Sequence, residues 1–313
     1  MKEELFISGR AIPNIDPYLN IWHWSIPIYL FLGGLAAGLL FFAGFYTIRG
    51  EGEKMPTTVK WGTFLAPPAL VIGLICLFID LKHKLFFWQL YTTIRLESPM
   101  SWGAWVLMLI TPLSMLWAGS YIREIYPNWK WSFSILDSVE QWVIKHRKGL
   151  AWLMMILAVI LGIYTGILLS AFNARPLWNT SLLGPLFLVS GLSSGVAALI
   201  WLSKNHEERA RLSKIDLVLI GIEIFLIIHL FMGFLSSSAV QVEAANLFLG
   251  GEFTVFFWVF VVILGLVFPA VLEILELAGK KIPVLIPALL VLLGGLIFRF
   301  IMVEAGQITR YLY

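Results

Sequence analysis

Asp80 and His83 stand one helical turn apart at the end of an apolar run, a spacing that puts both on one helix face. A carboxylate beside an imidazole can take up and release protons near neutral pH. Trp22-His23-Trp24 opens another apolar run, and Glu97-Ser-Pro-Met-Ser101-Trp102-Gly-Ala-Trp105 opens a third. Tyr164 lies inside a fourth run, roughly eight residues from its end, where a buried phenol needs a hydrogen-bond partner. His23 and His83 would serve equally as interfacial anchors, and Trp102 and Trp105 as belt aromatics. A second set comprises Glu223, His229, Glu273 and Glu276, with Arg299 further on, all within apolar runs. Carboxylates and imidazoles so placed form proton relays, although paired structural charges leave the same trace in a sequence. Glu223 and His229 are six residues apart and do not share a helix face.

The elements that must position these groups are membrane helices. Of 313 residues, 59% are hydrophobic and only 13% charged, about half the charged share of a soluble domain; the mean hydropathy is +0.87. Eight runs reach the roughly 20 residues needed to cross a bilayer: Ile26–Ile48, Trp61–Ile79, Trp102–Ile122, Leu150–Phe172, Leu182–Leu202, Ile215–Leu235, Phe253–Leu275 and Ile282–Val303. Loops after the odd-numbered spans hold 14 Lys and Arg, against 7 on the other side. The positive-inside rule then makes the first side cytoplasmic and puts both termini outside. With that topology His23, Asp80, His83, Ser101 and Tyr164 all belong to the outer face. The loop Phe133–Lys148 carries Leu136, Val139 and Val143 on one stripe and is expected to form an interfacial amphipathic helix. The polar segment Met1–Tyr18 lacks a basic-then-apolar pattern, so no cleaved leader is expected.

Gly34-Leu-Ala-Ala-Gly38 in the first span echoes Gly191-Leu-Ser-Ser-Gly195 in the fifth, about half a chain later. Such small-xxx-small motifs let helices approach closely, and the echo suggests a duplicated four-helix unit. The single cysteine, Cys76, cannot hold an iron–sulfur cluster, and paired axial histidines for a haem are lacking. Neither haem nor iron–sulfur cluster nor other metal site is therefore expected in this chain, and nothing points to nucleic acid.

The stretches Trp22-His-Trp24, Gly33-Gly-Leu-Ala-Ala-Gly38, Ser98-Pro-Met-Ser-Trp-Gly-Ala-Trp105, Asn173-Ala-Arg-Pro-Leu-Trp-Asn179 and Gly294-Gly…Arg299…Ala305-Gly-Gln307 together resemble the NrfD/PsrC family. These are haem-free membrane subunits of quinone-linked iron–sulfur oxidoreductases such as polysulfide reductase. The resemblance implies an all-α integral membrane fold of eight transmembrane helices in two four-helix bundles, in a prokaryotic cytoplasmic membrane. Residues 1–148 with the span at 150–172 would form the quinone-site bundle, and 180–313 the second. It also implies a menaquinone or ubiquinone site at the outer face, a docked four-cluster iron–sulfur subunit and a molybdopterin catalytic subunit beyond it. Tyr164 stands at the spacing of the family's quinone-contacting Tyr. The family's Asn and His after the Trp-His-Trp are Ile26 and Tyr29 here, so the second ligand is open among Tyr29, His23 and the Asp80/His83 pair, with Trp102 as an aromatic contact. Glu223, His229, Glu273 and Glu276 are the candidate proton relay. The rival classes are a secondary transporter, which can also show parallel repeats, and a passive membrane anchor.

Overall fold

A computed structural model describes residues 21–311; the segment Met1–Tyr18 lies outside the described residues. Regular structure among the described residues is entirely helical. Eight helices are long and apolar enough to cross a membrane: α1 Ser25–Arg49, α2 Thr57–Asp80, α3 Pro99–Ile125, α4 Arg147–Ser170, α5 Leu183–Leu202, α6 His206–Leu235, α7 Phe256–Leu277 and α8 Leu285–Ile308. Each overlaps one of the eight apolar runs. The chain is a multi-pass membrane protein. Its outward surfaces carry Ile72, Ile75, Ile156, Phe225, Ile228, Phe256 and Ile263, all exposed, and so broad an apolar surface suits lipid rather than water.

Local chemistry sets the helix ends. Gly50, left-handed at φ 69°, stops α1 while its N–H bonds the Tyr46 and Thr47 carbonyls. Pro99 starts α3 at a position whose N–H has no helical partner to lose. α6 begins at His206 rather than Ile215, because the Asn205 side chain accepts from Glu207 N and two glutamates occupy the first turn. That capped, charged turn is invisible to an apolar window. The loop before α4 contains the expected amphipathic helix, Ser134–Lys145. Its buried Glu140 accepts from Trp131 Nε1 at 2.9 Å and pairs with Arg123 at 3.2 Å.

α1 is the central element, packed on α2, α4, α5 and α8. α3 bridges α2 and α4; α5 packs on α6 and α8, and α7 on α6 and α8. The two glycine motifs meet face to face where α1 crosses α5. A Cβ added to Gly191 would lie 2.8 Å from Gly34 Cα, and one on Gly195 would lie 2.7 Å from Gly38 Cα. The repeat seen in the sequence is thus the seam between the two halves of the chain, where only hydrogen fits.

Both ends of the described chain are stitched together on one face. Gln307 Oε1 accepts from Ile21 N (3.1 Å) and Trp22 N (2.9 Å), and its Nε2 donates to Trp22 O (2.9 Å). Arg175 Nη1 donates to the carbonyls of Gln307 (3.1 Å) and Thr309 (2.8 Å), while Trp178 Nε1 donates to Met302 O (2.8 Å). This side is the terminal face of the molecule.

Candidate functional site

Four helices and one loop converge on a cavity of about 430 Å³ near the terminal face. α1 contributes Ile26 and Tyr29, α2 Phe78 and Asp80, α3 Met100 and Ala104, and α4 Tyr164 and Leu168, with Trp22 and Tyr91 closing it. The volume falls within the range of about 300–1,000 Å³ usual for small-molecule sites, and an apolar lining with few polar groups is their usual character. Tyr29 and Tyr164 are both buried, with hydroxyls near enough to interact. Tyr29 Oη nevertheless makes no well-formed hydrogen bond. An unpaired buried hydroxyl costs about 1–3 kcal/mol, so a group accepting or donating inside the cavity would relieve it.

The ring of Tyr164 occupies space left by Gly103: a Cβ there would collide with the phenol. This explains a glycine inside the Ser-Trp-Gly-Ala-Trp stretch of α3. Asp80 ends α2 and is half-buried, its Oδ1 accepting from Ser25 Oγ at 2.8 Å. Trp22 forms a wall, packed edge-on against Phe172 (5.0 Å between centroids) and near Trp178 (5.3 Å). Trp105 Nε1 donates to Tyr91 O at 3.2 Å and so anchors the loop; burial pushes the Tyr91 phenol up from its ordinary value.

Asp80 and His83 do not share a helix face, contrary to the spacing argument. α2 stops at Asp80, Leu81 is extended at ψ 127°, and His83 leaves the helix. It is exposed and borders an adjoining cavity with Ser98 and Ser101, which shares Leu81, Phe87, Leu90 and Met100 with the first but does not reach the two tyrosines. His23 is exposed and outside the tyrosine cavity. Trp102 is exposed too, its Nε1 donating to Leu96 O at 2.8 Å and its ring 5.6 Å from that of Trp105. Of the predicted residues, then, Tyr29, Tyr164 and Asp80 come together, and His23, His83 and Trp102 do not. Trp22 and Tyr91 line the site without having been expected there. Trp22 could be suspected from its motif, whereas nothing in the sequence marks Tyr91.

The second half encloses a file of buried ionisable groups. Asp216 and Glu223, seven residues apart on one face of α6, point inward. Asp216 accepts from Ser193 Oγ at 2.6 Å and faces the Glu273 carboxyl of α7. Neither Asp216 Oδ2 nor either oxygen of Glu273 has a well-formed hydrogen bond, nor has the buried Glu276 Oε2 one turn on. Glu223 reaches Ser190, whose Oγ accepts from Arg299 Nη1 at 2.6 Å. Arg299 is fully buried, its Nη2 donating to Phe187 O at 3.1 Å and its guanidinium 4.7 Å from the Phe187 ring centroid. His229 stands apart. It is exposed on the outer side of α6, its Nδ1 2.9 Å from Phe225 O. Asp216, absent from the predicted relay, takes the inward position instead; the seven-residue interval to Glu223 was the available signal.

Known proteins share this chain's pattern from end to end. The family model described as "Polysulphide reductase, NrfD" matches residues 14–310. Protein NrfD of Escherichia coli strain K12 is 34% identical over 306 residues, covering 92% of this chain and 96% of that protein. A polysulfide reductase chain of Wolinella succinogenes is 33% identical, covering 94% of this chain and 97% of that one. A selenate reductase subunit of Mesobacillus selenatarsenatis is 22% identical, covering 97% and 78%. A match across nearly the whole length, through all eight membrane helices, makes this chain a member of the polysulphide reductase NrfD family.

Proposed function

We propose that the chain is the quinone-reacting membrane subunit of a multi-subunit respiratory oxidoreductase. It exchanges electrons between a menaquinone or ubiquinone pool and an iron–sulfur subunit on its terminal face, with a catalytic subunit, of molybdopterin type, beyond. The observation that carries this reading is the apolar cavity lined by Tyr29, Tyr164 and Asp80, with the two phenols close enough to interact. The Wolinella and Mesobacillus relatives, each named as one part of a reductase, support the multi-subunit setting. The residues fit a quinone headgroup: aromatic and aliphatic walls for the ring, and two phenols for its oxygens. Quinone, when bound, supplies a carrier of two electrons and two protons. Tyr29 and Tyr164 orient it by hydrogen bonds, and the apolar walls exclude water. Asp80 is steadied by Ser25 through Oδ1, leaving Oδ2 as the atom that takes up a proton and returns it to water at the helix end. Saturable binding of a quinone analogue to the purified chain, lost in the Tyr29→Phe/Tyr164→Phe double variant, is expected. A protein that binds no analogue yet still assembles its complex would be a passive anchor.

What the terminal face exposes supports docking on that side. Leu85, Phe86, Phe87, Trp88, Ile94 and Leu96 all lie exposed between α2 and α3, beyond the spans, and such a patch suits a protein partner. The Asn173–Asn179 stretch contributes less, because Arg175 to Trp178 are buried against the end of α8. Cross-links from the iron–sulfur partner are expected on Lys82–Met100 and Trp22–Trp24. Cross-links mapping chiefly to Arg123–Lys148 would overturn both the docking side and the placing of the termini outside.

Glu276, Glu273, Asp216 and Glu223 form, in the same proposal, a proton relay leading inward from the face opposite the termini. Two facing carboxyls removed from water cannot both be charged cheaply, so the pair is suited to hold a mobile proton. Glu223→Gln should uncouple proton movement in proteoliposomes while quinol turnover persists. Equal loss of both activities would make the file a structural charge network.

A further inference from the structure

A cavity of about 1010 Å³ lies opposite the terminal face, where α1 and α3 end and α2 and α4 begin. Four cations line it, Lys60, Lys145, Arg147 and Lys148, against two carboxylates, Glu53 and Glu124. Glu124 is already engaged, by Lys60 at 3.1 Å and by Arg147 Nη1 at 2.8 Å. Arg147 is fixed further by its Nη2 bond to Ser120 O (2.6 Å) and by stacking 3.9 Å from the Tyr121 ring centroid. Its buried Nε has no acceptor. Lys145 and Lys148 have no ion-pair partner among the described residues. The first turn of α4 lacks a side-chain cap, and Gly149 leaves its backbone open to approach, with nothing within 4 Å of a Cβ placed there.

Two unpaired lysines, a guanidinium held in place and an uncapped helix N-terminus border one space, which is the chemistry that holds phosphate. We infer that this cavity binds the headgroup of an anionic phospholipid. The lipid source, rather than soluble phosphate, follows from the surroundings. The cavity is at the level of the helix ends, Ile144 forms part of its wall, and Trp142 and Ile135 are exposed on the same amphipathic helix. Phosphodiester oxygens would meet the lysines while acyl chains run along the exposed apolar sides of the spans. The volume exceeds what one phosphate needs, so a lipid with two phosphodiesters, of the cardiolipin class, fits best.

The test uses the full chain in neutral detergent, melted with added cardiolipin, phosphatidylglycerol, phosphatidylcholine or inorganic phosphate. Cardiolipin should raise the melting temperature of the wild type well above the phosphatidylcholine value. In Lys145→Gln/Lys148→Gln its affinity should fall by about tenfold or more, with the melting point in phosphatidylcholine unchanged. Lys145→Arg/Lys148→Arg should retain the effect and shows that any loss is of charge and not of folding. An equal cardiolipin shift in wild type and Gln variant, or none in either, would overturn the proposal. A shift produced by inorganic phosphate alone would also overturn it, by making the cavity a soluble-anion site.

Discussion

Replacing Tyr164 by Phe should lower quinol-driven turnover by about tenfold or more while electron transfer from an artificial donor to the soluble partner survives. The substitution keeps the ring, which fills the space opposite Gly103, and removes only the hydroxyl. Losing one partner of a buried hydrogen bond costs about 1–3 kcal/mol, and about 1.4 kcal/mol is a factor of ten. Tyr29 cannot substitute fully, because a single phenol reaches only one quinone oxygen. Gly103→Ala attacks the same phenol from behind by forcing the ring from its seat, so it should mimic Tyr164→Phe despite leaving every polar atom in place. Both activities are measured in the same membranes. Wild-type quinol turnover in Tyr164→Phe would shift the assignment to Tyr29 and Asp80.

The second large effect is on stability. Gly38→Val places a branched side chain into the crossing of α1 and α5, where even a Cβ would lie 2.5 Å from Gly191 O and 3.0 Å from Gly195 Cα. The obstruction is backbone, which cannot rotate away. Overpacking of this kind costs about 1–3 kcal/mol and occasionally more, and the upper end is expected because both helices must separate. Gly221→Ala is the control: it lies in α6 with nothing within 4 Å of the added carbon, and alanine favours a helix over glycine by about 1 kcal/mol. Thermal midpoints in detergent should therefore move in opposite directions for the two variants. An unshifted midpoint in Gly38→Val would contradict the packing of α1 against α5.

Hydropathy made the eight spans legible, because bilayer thickness sets a minimum apolar length and each run met it. The residues that failed did so where local geometry overrides spacing. Asp80 and His83 look like neighbours on a helix only while the helix continues, and it stops between them. Asp216 stayed hidden because it is the second residue of the run that opens at Ile215 and so reads as a boundary charge, whereas the helix had already begun at His206. Tyr164 could be singled out because a phenol deep in an apolar run is costly by itself, with no knowledge of its neighbours. Tyr29 stood out only through a comparison of motifs. The glycine echo between the halves was visible as a pattern, but that the two copies would touch each other could not be read from one dimension.

The stitch made by Gln307 bears on how the protein is born. Trp22, a wall of the tyrosine cavity, is held at both its N–H and its carbonyl by a side chain from the last membrane helix. α1 leaves the ribosome well before α8. The cavity in the first half is therefore finished only once α8 has been made. A polypeptide cut short before α8 could insert its early helices yet would leave Trp22 untethered, so arrival of α8 acts as a checkpoint on the site.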